Sequence, residues 1–196
     1  KIKRQKGEEV LLIPVRAPQP SKLELSWAPG PIANSRFTPA EMAQIRVGNV
    51  PVHMHPAVEK FAPGWQITNC GPDMDPGLRA EWGGKQNVLV THPLDDHTGC
   101  MLNNRVKVPA GKKTTLRLVV GHDPQGDFDL IVRANGKELL RKLVSKATAT
   151  SDPWLVQEVD LSPFAGRKAA RIELVNQPTG WAYEAAYWAE IKVLIE

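Results

Sequence analysis

The chain has 196 residues, 42% of them hydrophobic and 23% charged, with a formal net charge of +4. These values are ordinary for a globular protein with one good core, or for one domain with a long extension. No apolar run approaches the ~20 residues of a membrane-spanning helix, so membrane insertion is not expected. The excess positive charge lies at Lys1, Lys3, Arg4 and Lys6, without which the remaining Lys and Arg equal the 21 Asp and Glu. Because the excess positive charge is confined to the first six residues and the rest of the chain is neutral, a nucleic-acid partner is not expected.

Residues 1–60 predict a proline-rich N-terminal extension or small subdomain. Prolines interrupt short strand-like pieces at 10–15, 23–27 and 45–52. Thr38 and Pro39 predict the start of a short helix, as N-cap and first helical position. Because the chain does not begin with Met, we expect a processed or excised piece of a longer protein.

From residue 61 to 196 the pattern changes to regular short strands separated by turns. Strand-like runs are predicted at 87–91, 101–108, 114–121, 127–134, 138–144, 155–161, 170–176 and 187–195. In the third run, Leu116 and Leu118 share one face and Arg117 takes the other. Asn135-Gly136 between two runs is a strong β-hairpin signal. The spacing predicts an all-β fold, an antiparallel β-sandwich of the jelly-roll type.

Several motifs in residues 61–196 resemble, in combination, the galactose-binding-like jelly-roll family. They are Val108-Pro109-Ala110-Gly111-Lys112, Asn135-Gly136-Lys137, Asp160-Leu161-Ser162-Pro163-Phe164-Ala165-Gly166 and the closing Tyr187-Trp188-Ala189-Glu190-Ile191. Within that family, the chain most resembles the carbohydrate-binding-module-like domains of large secreted planctomycete-type bacterial proteins. That likeness lies in Asn69-Cys70-Gly71-Pro72-Asp73-Met74, Val90-Thr91-His92-Pro93-Leu94-Asp95 and Gln177-Pro178-Thr179-Gly180-Trp181.

The resemblance implies an extracytoplasmic location and a disulfide between Cys70 and Cys100. The alternative is two buried thiols in a cytosolic protein. Family members commonly bind glycans through loops at one end or along a concave face, and others are only spacer or docking modules. Many hold a structural calcium through an acid of the last strand, whose place Glu190 occupies. The implied partners are a glycan and other domains of a parent protein, with no required cofactor.

Aromatic and acidic residues are grouped near the C-terminus. Pro178 and Gly180 mark a loop just before Trp181 and Tyr183, and Glu184 follows. Exposed rings offer a flat apolar platform for a sugar, while a carboxylate accepts hydroxyl hydrogen bonds. The alternative is that these rings pack inward. For Tyr187 and Trp188, which lie in a strand-like run, we expect the core.

Two further segments are candidates for ligand contact. Trp82, beside Arg79 and before a Gly pair, suits a hairpin tip with an exposed indole, or a ring folded onto the rim of the sandwich. Asp95 and His97 lie in a polar loop that suits either ligand binding or internal hydrogen bonding.

Two patterns raise the possibility of metal binding. Asp123 and Asp127 have a spacing that supplies oxygen ligands for calcium, although Asp123 also suits the organisation of the following turn. His53, His55 and Glu59 resemble the first cupin motif, which requires both imidazoles on one face of a strand. Pro51 interrupts that strand, and no second histidine motif follows.

The sequence therefore predicts a non-catalytic carbohydrate-binding module whose ligand residues are Trp82, Trp181, Tyr183, Glu184, Arg79, Asp95 and His97. The alternatives are a docking sandwich that binds no glycan and a metal-dependent cupin-like enzyme at His53, His55 and Glu59. We expect no catalytic nucleophile, because no such motif is present.

Overall fold

A computed structural model describes residues 2–5, 8–11, 46–166 and 169–196. The chain divides into two compact units, Lys1–Ala33 and Asn34–Glu196. In the first unit, β1 (Ile2–Gln5) and β2 (Glu8–Leu11) form an antiparallel pair. The helix start predicted at Thr38 and the strand predicted at 23–27 lie outside the described residues.

The second unit consists almost entirely of short strands. In chain order its elements are β3 (Arg46–Val47), β4 (Val50–Pro51), α1 (Met54–Phe61), β5 (Gln66–Thr68), β6 (Gly77–Trp82), β7 (Lys85–Thr91), β8 (Cys100–Val106), β9 (Thr114–His122), β10 (Phe128–Ala134), β11 (Lys137–Val144), β12 (Trp154–Asp160), a 3-10 turn (Ser162–Phe164), β13 (Ala170–Gln177) and β14 (Ala186–Ile195). Each of the eight predicted runs is a strand. No helix of the described residues is long and apolar enough to cross a membrane.

Two five-stranded antiparallel sheets make the sandwich. One sheet has the order β11-β10-β13-β8-β5, and the other has the order β12-β9-β14-β7-β6. Strands that follow one another in the chain often lie in different sheets, as β8, β9 and β10 do, and this is the arrangement of a jelly roll. The predicted antiparallel β-sandwich is confirmed.

The core lies between the sheets because apolar residues alternate along the strands. In β9, Leu116 and Leu118 are fully buried between the sheets, and Arg117 on the other face is partly exposed. Trp188 of β14 is also fully buried, and its indole N–H donates to Thr91 Oγ1 at 3.0 Å. Burial of a large apolar side chain stabilises by about 1.5–3 kcal/mol, so the alternation fixes which face of each strand points inward.

The sandwich unit begins before the predicted boundary between residues 60 and 61. Helix α1 packs against β5, β6 and β7, and its Met54 and Val58 are part of the sandwich core. An amphipathic helix of only two turns is stabilised by such burial rather than by its own propensity. Residues of the predicted N-terminal extension therefore contribute directly to this core.

The β6–β7 hairpin folds over the outer face of its sheet. Strand β7 pairs with β14 only at its last three residues, Leu89, Val90 and Thr91. The hairpin turn, at Gly83 and Gly84, has left-handed backbone, which glycine adopts without strain. The indole N–H of Trp154 donates to the Gly83 carbonyl at 2.8 Å, so the tip is anchored on β12.

Candidate functional site

Three loops and the segment after β5 meet at one end of the sandwich. The loops are 92–99 between β7 and β8, 123–127 between β9 and β10, and 178–185 between β13 and β14. The Gln177 side chain donates to the His97 carbonyl at 3.0 Å, and the Thr179 hydroxyl donates to Asp127 at 2.5 Å. The Gly71 N–H donates to the His92 carbonyl at 3.0 Å. We call this surface the loop end.

Two aromatic side chains of the loop end are exposed. Trp181 and Tyr183 each keep 45% of their surface accessible, although both are large and apolar. The buried His92 ring and Trp181 form an edge-to-face pair, with centroids 5.4 Å apart and planes at 84°. Burial lowers the pKa of His92, opposed by its hydrogen bond to the Pro93 carbonyl and by Asp73. Trp181 is therefore supported on one side while much of its surface stays accessible.

The backbone of the 178–185 loop is fixed by a buried carboxylate. Glu184 is only 3% exposed, and it accepts the N–H of Gly180 at 2.7 Å and the N–H of Thr179 at 3.0 Å. Burial raises the pKa of Glu184, while these donors oppose the rise. The expectation that Glu184 presents its carboxylate to a ligand is corrected, because the loop backbone already surrounds it. Its role is to position Trp181 and Tyr183.

Tyr183 has a strained backbone. Its φ of +62° lies in the left-handed region, which a bulky residue rarely occupies. The 123–127 loop packs closely against this residue, since a Cβ added at Gly126 would lie 2.1 Å from the Tyr183 carbonyl oxygen. Only a residue without a side chain therefore fits at position 126 beside Tyr183 as the two loops are placed.

The 92–99 loop is internally organised and presents His97 outward. Asp95 accepts the N–H groups of His97 and Thr98 at 2.9 and 2.6 Å. These hydrogen bonds lower the pKa of the Asp95 carboxyl. The His97 side chain is 88% exposed and lies 3.6 Å from Asp96. His97 is thus available at this surface, while one oxygen of Asp95 is used in the turn.

Below the loops lies a buried polar network that the sequence did not predict. The Asn176 amide donates to the carbonyls of Thr91 and Glu184, each at 3.2 Å. Thr91 in turn accepts the Trp188 N–H. Asn176 is fully buried. The one sequence signal for a buried hydrogen-bonding residue here is that this amide ends a run of mostly apolar residues in β13.

Cys70 and Cys100 come together beneath the same loops. Both are buried, and the structure holds them as thiols whose side chains are in hydrogen-bond contact. Burial raises the pKa of Cys100 well above its ordinary value, reinforced by Cys70. The family-based disulfide between them stays a prediction.

Trp82 and Arg79 lie on the outer face of the β6–β7 sheet. Trp82 is partly buried and stacked on Tyr187, with centroids 3.7 Å apart and planes 10° apart. It also forms an edge-to-face pair with Trp154, with centroids 5.3 Å apart. Arg79 pairs with Asp75 at 2.7 Å. Burial, with the nearby Asp123, raises the pKa of Tyr187 to about 12. Trp82 thus has one ring face covered, as in the alternative in which it folds onto the sandwich.

The acids predicted to hold calcium are not brought together. Glu190 is paired with Arg117 on the outer face of its sheet. Asp123 accepts the Gln125 N–H at 2.9 Å, and Asp127 accepts from Thr179. Within the described residues, no three His, Cys, Asp or Glu side chains are grouped closely enough to hold a metal ion.

The cupin-like pattern is also corrected. His53 and His55 lie at the start of α1 rather than on a strand, so two positions along the chain place them about 200° apart around the helix. His53 contacts the Pro76 carbonyl through Nε2 at 2.9 Å, and Glu59 accepts the Gly64 N–H at 3.1 Å. Because of the helix, His53 and His55 point in different directions and cannot bind one metal ion together.

No protein-family model and no curated protein sequence matches this chain. Among solved structures, it is similar to the CBM22-1 xylan-binding domain of Paenibacillus barcinonensis Xyn10C, with 13% identity, 68% of this chain and 86% of that chain covered, and a TM-score of 0.48. A CBM35 from the same organism matches with 11% identity, coverage of 67% and 92%, and a TM-score of 0.44. The K3 cleaved adhesin domain of Lys-gingipain from Porphyromonas gingivalis matches with 11% identity, coverage of 70% and 95%, and a TM-score of 0.48.

Proposed function

We propose that this chain is a non-catalytic carbohydrate-binding module that binds glycan at the loop end. The observation that carries the proposal is the pair of half-exposed rings, Trp181 and Tyr183, on a loop whose backbone is fixed by the buried Glu184. A large apolar side chain that stays in water forgoes the favourable free energy of burial, and a ligand that covers it recovers that free energy. A loop held by buried hydrogen bonds presents such rings at little further entropic cost.

The chemistry of the surface suits a saccharide. The apolar face of a pyranose ring stacks on an indole or phenol ring, and its hydroxyls require donors and acceptors beside that platform. His97 supplies exposed ring nitrogens, and Asp95 has a second carboxylate oxygen beyond the one used in its turn. Arg79 and Trp82 are partly exposed, and we propose that they contact the glycan only through the atoms that remain accessible.

We further propose that the module belongs to a secreted protein and acts beside other domains of its parent. Single modules of this kind bind weakly, and they act by raising the local concentration of a tethered partner. This part of the proposal is supported by the family resemblance, which also implies the disulfide expected of an oxidising compartment.

Glycan-array binding of the intact chain tests the proposal, with Trp181→Ala measured beside it. We expect binding to fall more than tenfold in Trp181→Ala and to be largely restored in Trp181→Phe, which keeps an aromatic face. Val156→Ala is a matched control, because Val156 is a large apolar side chain that is 39% exposed on β12. Binding in that control should be unchanged.

Two outcomes contradict the proposal. Absence of binding to every glycan, with and without calcium, would favour a docking module that contacts proteins. Equal binding by Trp181→Ala and the unaltered chain would place the glycan site elsewhere.

A further inference from the structure

A polar groove lies on the sheet that does not carry Trp82, away from the loop end. It has a volume of about 410 Å³ and is lined by Gly64, Gln66, Asn103, Asn104, Arg105 and Arg171. The loop end adjoins Cys100, the first residue of β8, whereas Arg105 lies five residues further along the strand. At about 3.3 Å per residue, Arg105 is on the order of 16 Å from the start of that strand. It is therefore distinct from the proposed aromatic site.

Two arginines lie side by side in this groove, on adjacent strands. Arg105 of β8 and Arg171 of β13 are directly opposite in the antiparallel register, so their side chains emerge on the same face. Like charges in directly opposed positions destabilise a sheet. Glu173 contacts Arg171 Nε at 3.1 Å, but Arg105 has no carboxylate partner among the described residues. Among the described residues, the groove thus holds an excess of positive charge, since its two guanidinium groups have one carboxylate contact between them.

The remaining groups of the groove are amides. Asn103 and Gln66 occupy opposed positions on β8 and β5, and the Asn104 side-chain amide lies beside Gly64. Amide side chains donate and accept hydrogen bonds, as sugar hydroxyls require. Guanidinium groups bind carboxylates and sulfates through paired N–H donors. A cavity of this volume lies in the range of small-ligand sites, about 300–1,000 Å³.

We propose that this groove is a second binding site, which takes the anionic group of an acidic saccharide between Arg105 and Arg171 with the amides on the neighbouring hydroxyls. The ligand group is a carboxylate or a sulfate ester, because both present oxygens at the spacing of a guanidinium fork. This site goes beyond the proposed function, since it requires neither Trp181 nor Tyr183.

Isothermal titration of the full chain with three polymers tests the proposal. Polygalacturonate supplies carboxylates, dextran sulfate supplies sulfate esters, and neutral dextran supplies neither. We expect binding of at least one polyanion and none of dextran. The double variant Arg105→Gln/Arg171→Gln should weaken polyanion binding at least tenfold. Arg105→Lys/Arg171→Lys keeps the charge but loses the paired N–H donors of the guanidinium. Its polyanion affinity should lie between that of the unaltered chain and that of the Gln double variant.

The control removes the same charge elsewhere. Lys112→Gln/Lys192→Gln replaces two exposed lysines that do not line the groove, one in the loop before β9 and one on β14, and should change polyanion affinity less than twofold. An equal loss in both double variants would show diffuse attraction by a basic protein and overturn the proposal, as would failure of both polyanions to bind. Trp181→Ala separates the two sites, because it should abolish binding of array glycans while polyanion binding persists.

Discussion

The carboxylate of Glu184 lies 2.7 Å from the backbone nitrogen of Gly180, on the inner side of the loop that carries Trp181. The side chain is buried, and burial of a carboxylate is tolerated where it receives several N–H donors. The exposed aromatic surface is thus built on a buried acid, which ties the stability of the loop to its binding.

Glu184→Ala should destabilise the protein by about 2 kcal/mol, because the N–H groups of Thr179 and Gly180 lose a buried acceptor. Urea unfolding measures this change, and glycan affinity should fall as the loop loses its fixed position. Asp96→Ala, which removes an exposed acid from the neighbouring 92–99 loop, serves as the control and should stay within about 0.5 kcal/mol. Equal stability of the two variants would contradict the role given to Glu184.

The same acid predicts a pH dependence. The pKa of Glu184 in the folded protein lies above its ordinary value of 4.5, so the folded state holds this proton more tightly than the unfolded state. Its contribution to stability is present below pH 4.5 and is lost as pH rises through the higher folded pKa. Glu184→Gln, which does not titrate, should therefore gain stability relative to the unaltered chain as pH rises above 4.5. Unfolding curves at several pH values measure this difference, and a difference independent of pH would refute it.

Trp82 and Trp181 should respond differently to truncation. Trp82 stacks on Tyr187 and meets Trp154, so Trp82→Ala should cost about 3 kcal/mol in the free energy of unfolding. Trp181 is 45% exposed, and Trp181→Ala should cost less than about 1 kcal/mol. Chemical denaturation of the two variants tests the assignment. A larger loss in Trp181→Ala would make its ring a core residue and remove it from the proposed glycan surface.

The contact between Gly126 and Tyr183 predicts a steric effect at the loop end. A Cβ at Gly126 would lie 2.1 Å from the Tyr183 carbonyl oxygen, so Gly126→Ala forces one of the two loops to move. We expect a loss of about 1–3 kcal/mol together with weaker glycan binding. Gln125→Ala, at the adjacent turn residue, should leave both properties unchanged. Thermal unfolding and array binding report the two effects separately.

The cysteine pair gives a prediction that depends on redox state. If the buried thiols of Cys70 and Cys100 oxidise to the predicted disulfide, Cys70→Ser should cost about 3–4 kcal/mol under oxidising conditions, from the loop-closure entropy of the unfolded chain. The measurement is thiol titration of the denatured protein without reductant. Two reactive thiols per chain after aerobic secretion would contradict the disulfide.

Local sequence features were sufficient to identify the eight strands from β7 to β14 and the inward faces of the main ones. Alternation in Leu116, Arg117 and Leu118 predicts β9, and Asn135-Gly136 predicts the hairpin between β10 and β11, because both signals depend on neighbours in the chain. The same sequence did not reveal β5, β6 or α1, since their short runs are stabilised by contacts with distant strands.

The sequence by itself determined the fold class, the inward-facing residues of the main strands, and the loop position of Trp181 and Tyr183. Only the tertiary structure decided which polar groups those loops use internally. It buried Glu184 under the loop, paired Glu190 with Arg117, placed His53 and His55 on a helix, and set Arg105 opposite Arg171. The physical reason is that the role of a charged side chain depends on the groups that folding brings beside it. Glu184 meets N–H groups of its own loop, whereas Glu190 and Arg117 are 73 residues apart in the chain and meet only through strand order and register.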